Sequence, residues 1–351
     1  MARAVPLKRY HNYMSKRNHL IDVLRFLAAC WVALMHFNQP VSAINNWYRN
    51  FISLGYLGVP VFFVISGYCV YLAAEHSSSA KDFIVRRFFR IFPPYWFSIL
   101  IVVFAVILSI ILLGHNDVTI LPKTMAGILE TLTLFVVPLT KVQVINWVYW
   151  TLVFEIFFYL IIWFSLLLSF RLRSFWLIAI SILPLVIPVH EYWFFFFIKH
   201  WPEFCVGLIV YRLLHHPKTE IWQNAALVLL TIWGLFTIPL LDYIPLTSVI
   251  IALLIVVNHY SPLKKTRLSQ WGDYSYSIYL IHVPIGVFIL GAVKQIRFVQ
   301  THLFINLGWD LLLLTTIVAL SRIMYLFIEL PAIRIGKKIT AGYPAKNTNP
   351  N

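Results

Sequence analysis

Ten apolar runs of spanning or near-spanning length follow one another along the chain, at about 20–38, 54–74, 92–113, 148–168, 175–189, 194–214, 224–241, 245–259, 275–293 and 303–330. About 20 such residues make a helix as long as the hydrocarbon core of a bilayer is thick. The expected fold is therefore all-α: a polytopic integral membrane protein of about ten transmembrane helices. Charge supports this, because only 12% of the 351 residues are Asp, Glu, Lys or Arg, half of what a water-soluble domain carries. No internal repeat and no Pro/Gly-rich linker divides the chain. We expect a basic N-terminus over 1–19, one transmembrane domain over 20–338 and a polar tail over 339–351. The longest connection, 114–147, has apolar residues at helical spacing over 121–137 and suits a helix lying in the interface.

The formal net charge is +15, and its distribution gives the orientation. Assigning alternate connections to opposite sides puts 20 of the 28 cations on one face and 6 on the other, with Arg25 and Arg322 inside spans. By the positive-inside rule the richer face is cytoplasmic, as are both termini. This predicts a multi-pass protein of the cytoplasmic (inner) membrane whose first partner is the lipid bilayer. Basic residues scattered between spans are not a nucleic-acid patch, so no nucleic-acid partner is expected. The first apolar run carries Asp22 and Arg25 and ends in His36-Phe37-Asn38, which does not fit a cleaved signal peptide. Cys30, Cys69 and Cys205 lie in apolar runs without metal-ligand spacing. No disulfide and no metal site is expected.

An ionisable side chain within a span costs about 2.5–3.5 kcal/mol on insertion scales and so needs a partner or a task. The spans contain Arg25, His36, Glu155, Glu203, His282, Asp310, Arg322 and Glu329. Arg25 and His36 are eleven residues apart, about 16 Å along one side of the first helix. The pair reads equally as a snorkelling arginine with an interfacial histidine, or as two groups lining one path. Arg87 and Arg90, one helical turn apart beside Arg86, can turn two guanidinium forks to one phosphate or simply mark the positive side. Ser275, Tyr279 and His282 recur at i, i+4 and i+7, a stripe that either bonds two helices together or lines a polar cavity. Glu155 and Glu329 suit structural ion pairing, with Arg25 and Arg322 as candidate mates.

Taken together and in order, these phrases resemble the membrane-bound acyltransferase family 3, bacterial proteins that O-acylate cell-surface carbohydrates. The likeness covers about residues 18–338. It runs from Ile21-Asp22-Val23-Leu24-Arg25-Phe26-Leu27-Ala28-Ala29 with His36, through Leu57-Gly58-Val59-Pro60-Val61-Phe62-Phe63-Val64-Ile65-Ser66-Gly67-Tyr68, to Arg87 and Arg90 before Ile91-Phe92-Pro93. It continues in Trp150-Thr151-Leu152-Val153-Phe154-Glu155 and in Ser275-Tyr276 to His282. One departure is Ile328-Glu329-Leu330-Pro331, where the family usually has an arginine between glutamate and proline. The chain resembles the stand-alone form, without an added extracytoplasmic hydrolase-like domain.

The resemblance implies transfer of an acyl group, acetyl by default, from cytoplasmic acyl-CoA to a hydroxyl of a carbohydrate on the outer side, with lipopolysaccharide O-antigen the leading acceptor. Acetyl-CoA is then a co-substrate held by Arg25, Arg87 and Arg90. Ser66, Ser275, Tyr279 and His282 line the path. His36 acts as general base or as a covalent acyl-imidazole carrier, with Glu155 or the Ser275 stripe orienting its ring. A transporter or flippase of an envelope glycan precursor, and a non-catalytic scaffold, are the rival classes. An arginine pair aligned with a deep histidine favours the enzyme.

Overall fold

The structure, a computed structural model, describes residues 17–39, 46–116, 118–187, 195–238 and 243–341. Most of the expected leader and nearly all of the expected tail lie outside them. Among the described residues all regular structure is helical. The main helices are α1 His19–Asn38, α2 Gly58–Glu75, α3 Ala80–Leu113, α4 Trp150–Leu167, α5 Phe170–Val186, α6 Trp201–His215, α7 Ile221–Thr237, α8 Ile244–Tyr260, α9 Ser275–Val283, α10 Leu303–Met324 and α11 Leu330–Ala341. Five continuous helical stretches are long and apolar enough to cross a membrane: His19–Asn38, Trp47–Glu75, Ala80–Leu112, Trp147–Leu167 and Leu303–Ala341. Ile221–Thr237 and Ile244–Tyr260 are shorter apolar helices. The connection between α3 and α4 contains the helix Met125–Thr133, within the stretch 121–137 expected to be helical.

Local signals set the helix starts. Asn18 accepts from the Ile21 N–H to begin α1, and Ser79 accepts from the Asp82 N–H to begin α3, each satisfying an amide with no partner inside its helix. Sequence spacing separates a cytoplasmic arginine segment from a span starting near 92, but α3 is one helix of 34 residues. Proline normally breaks a helix interior. Here Pro93 and Pro94 are bridged by ring contacts, Phe88 stacked on Phe92 at 4.8 Å and Phe92 tilted against Trp96 at 5.6 Å. At 1.5 Å per residue, α3 extends about 51 Å, well past a core of about 30 Å. Its first turns carry Arg86, Arg87 and Arg90 at one end.

At the centre, α2 and α6 cross backbone to backbone. A Cβ on Gly67 would lie 1.9 Å from the Phe204 carbonyl oxygen, and one on Gly207 would lie 1.8 Å from that of Val64. In lipid, where tails are as apolar as leucine, such close approach is what holds helices together. α1 and α4 pack against α2, and α9 packs against α1, α3 and α10. The ends of α1 and α9 are joined at one side by Arg17, which bonds Asp22 at 2.5 Å and Asp273 at 2.6 Å. At the other side the last turn of α1 faces the last turn of α9. The two helices therefore run the same way and carry their polar residues from the arginine end to the histidine end.

Candidate active site

The arginine end holds a cavity of about 80 Å³ between α1, α2, α3, α4 and α9. A single water needs roughly 10–15 Å³ of such space, so there is room for a short file of waters or a slender chain. Arg25 of α1, Ser66 of α2, Arg87 and Arg90 of α3, Glu155 of α4, and Ser275 and Tyr279 of α9 all line it. Residues up to 254 positions apart thus meet in one wall. The cavity brings together seven of the nine residues singled out from sequence.

Their mutual contacts set the electrostatics. Tyr159 OH donates to Glu155 Oε1 at 2.5 Å, and Ser66 Oγ donates to the same oxygen at 3.3 Å. The Arg87 guanidinium lies over the rings of Phe83 and Tyr159, at 5.6 and 5.5 Å, while its buried Nε has no hydrogen-bond partner. Cation–π contact of this kind holds the fork in place without using its N–H donors. Arg90 pairs with the buried Glu329 at 3.9 Å, and Ser277 Oγ donates to the other Glu329 oxygen at 2.8 Å. The mate of Glu329 is therefore Arg90, not Arg25 or Arg322. Arg322 is exposed on α10, and Glu155 is held by hydroxyls. Three arginines line the cavity against one carboxylate, Glu155, with Glu329 beside Arg90, which leaves it net positive.

His36 and His282 lie beyond this cavity, at the opposite ends of their helices. His36 Nδ1 is 2.8 Å from Gln39 Oε1, and its ring is 5.3 Å from that of His282 and 6.1 Å from that of Trp147. His282, fully buried, contacts the Tyr279 ring at 5.8 Å. Tyr279 OH is bonded to Thr151 Oγ1 at 2.6 Å, and both residues line the cavity. A ring-to-ring path His36–His282–Tyr279 thus leads from the histidine end to the cavity wall. Glu155 makes its bonds at the arginine end, while the group bonded to the His36 ring is Gln39.

Sequence reasoning did not find the buried polar knot behind His36. Asn38 Oδ1 accepts from Lys294 Nζ at 2.8 Å and from Arg49, and Asn38 Nδ2 donates to Asp310 Oδ2 at 2.8 Å. Tyr48 OH also donates to that oxygen at 2.7 Å, and Lys294 donates to Asp310 Oδ1 at 2.7 Å and to Asn306. The signal available in sequence was Asp310, an acid in an apolar run that had to have a cation. Among the described residues no three His, Cys, Asp or Glu side chains converge as metal ligands.

Residues 18–326 match the family of the acyltransferase domain (Acyl_transf_3). The chain belongs to this acyltransferase family. It is 24% identical over 387 residues to Nodulation protein 10 of Rhizobium leguminosarum bv. viciae, covering 94% of this chain and 97% of that one. It is 26% identical over 305 residues to Acyltransferase MdmB of Streptomyces mycarofaciens, covering 74% and 76%. A shorter match, 33% over 103 residues, joins it to Peptidoglycan O-acetyltransferase OatA of Listeria monocytogenes, covering 28% of this chain and 15% of that one. No solved structure matches the chain. The protein is thus a membrane acyltransferase.

Proposed function

We propose that this acyltransferase moves an acyl group, acetyl by default, from cytoplasmic acyl-CoA to a hydroxyl of a cell-surface carbohydrate, lipopolysaccharide O-antigen being the first acceptor to try. In this reading the chain crosses the inner membrane about ten times with both termini inside. The arginine end is then cytoplasmic and the histidine end faces out. The observation that supports it most is the cavity itself. Arg25, Arg87 and Arg90 share one wall, Arg87 has its Nε unspent, and the space admits a slender thioester arm but not a nucleotide. The phosphates of CoA would stay at the mouth on Arg87 and Arg90 while the arm enters past Tyr279 towards His36.

At the histidine end the acceptor hydroxyl gives its proton to His36 Nε2 as its oxygen attacks the thioester carbonyl. The carbon–sulfur bond breaks, CoA leaves as thiolate, and the proton ends on that sulfur. An imidazole whose Nδ1 is held by Gln39 presents Nε2 as the base. The test uses protein purified in detergent. Acetyl-CoA should raise the thermal midpoint and be turned over to free thiol in wild type, and Arg87→Ala should abolish the stabilisation. No stabilisation of wild type at millimolar acetyl-CoA would rule out acetyl-CoA as donor.

A further inference from the structure

The His282 imidazole has one nitrogen spent and one unspent. Its Nδ1 is 3.1 Å from the backbone oxygen of Ile278. A carbonyl can only accept, so Nδ1 carries the hydrogen and Nε2 is left as a bare lone pair. That Nε2 is buried in a side chain with no exposed surface and has no hydrogen-bond partner. An unsatisfied buried acceptor lowers stability, and packing alone gives no reason to keep a histidine here. A leucine or methionine would fill the same space without that cost. Its ring stands against His36, 5.3 Å between centroids, and also meets Tyr279 of the cavity wall.

We propose that His282 is a second proton-accepting group, which takes the proton from His36 during transfer and returns it to the departing CoA sulfur. This rests on the reading of His36 as the base. When the acceptor oxygen forms its bond to the acyl carbon, its proton goes to His36 Nε2 and the carbon–sulfur pair leaves with CoA. The imidazolium proton crosses to the lone pair of His282 Nε2 and goes from that same nitrogen to the thiolate, so both rings end neutral and the thiol is made. One proton shared by two adjacent imidazoles behaves as a property of the pair. The elements packed against α9 include α1, α3, α10 and the turns 147–149, 272–274 and 284–289. Their charged groups are engaged elsewhere: Arg25 and Arg87 in the cavity wall, Arg90 with Glu329, Asp310 with Lys294, Asp22 and Asp273 with Arg17, and Asp82 with Arg86, while Arg322 is exposed. Tyr149 OH bonds Ser98, and Tyr279 bonds Thr151. Among the described residues, His36 is the basic group that His282 meets.

The experiment follows CoA-thiol release from acetyl-CoA, with water as acceptor, as a function of pH for wild type, His36→Ala and His282→Gln. Glutamine keeps the bulk and polarity of the ring but cannot hold a proton. We expect His282→Gln to keep the acetyl-CoA thermal shift and the KM, to lose tenfold or more in kcat, and to show a displaced acid limb of the pH–rate profile. A kcat within twofold of wild type, or a loss with the acid limb unmoved, overturns the proposal and makes His282 a packing residue. If the glutamine variant does not fold, His282→Asn, whose amide can reach the Ile278 oxygen, takes its place. His36→Ala separates the two readings. Normal release in that variant overturns the base itself and the relay with it, whereas a dead His36→Ala beside an unaffected His282→Gln removes the relay alone.

Discussion

Lys294 Nζ donates to Asp310 Oδ1 at 2.7 Å, with both side chains at most 2% exposed, and Asn38, two residues past His36, is bonded to both. The ion pair therefore anchors the turn of α1 that carries the histidine. Removing one partner of a buried pair leaves the other charge stranded and costs roughly 3–5 kcal/mol. Lys294→Met should lower the thermal midpoint strongly, and Lys294→Met with Asp310→Asn should recover much of it. A single variant as stable as wild type would show that the knot does not anchor the turn.

The Arg90–Glu329 pair differs in degree. Glu329 is fully buried, but Arg90 is about a third exposed and 3.9 Å away, so solvent screens part of the attraction. Arg90→Ala should cost less than Lys294→Met, about 1–3 kcal/mol, since Ser277 still bonds the carboxylate. Glu329→Gln in that background should restore stability without restoring the acetyl-CoA thermal shift. Recovery of both would place Arg90 outside the donor site.

The α2–α6 crossing tolerates no side chain at its two glycines, because the atoms in the way are backbone oxygens that cannot rotate aside. Gly67→Ala or Gly207→Ala should lower the midpoint by the equivalent of about 1–3 kcal/mol or more. Gly308→Ala, which meets nothing within 4 Å, is the control and should be neutral. Equal midpoints for all three would mean that the helices do not cross so closely.

What could be read from sequence follows from where the physics is local. Arg25, Ser66, Arg87, Arg90, Glu155, Ser275 and Tyr279 declared themselves because polarity inside an apolar run is costly and helical spacing assigns each a face, and all seven line one cavity. Partner choice was not local. Asp310 demanded a cation, but Lys294 looked like a connection residue, and another of the lysine's partners, Asn38, is 256 positions away. Glu329 is paired by Arg90 because α3 runs unbroken from the arginine segment into the span, whereas the apolar run alone begins near 92. The contact of His36 with His282 depends on α1 and α9 running side by side in the same direction, which no periodicity within either helix contains.

The three cysteines are free, with Cys30 and Cys205 buried and Cys69 partly exposed in the cavity wall. A maleimide needs both access and thiolate, so alkylation of the native protein should mark Cys69 first. A bound acyl-CoA arm would occupy the space beside that sulfur. Millimolar acetyl-CoA is therefore expected to slow Cys69 labelling severalfold in wild type and to leave it unchanged in Arg87→Ala, with free phosphate giving no protection in either. Mass spectrometry of tryptic peptides after timed labelling reads this directly. Equal labelling rates with and without acetyl-CoA in wild type would mean that the arm does not enter this cavity, and would move the donor path to another face of the bundle.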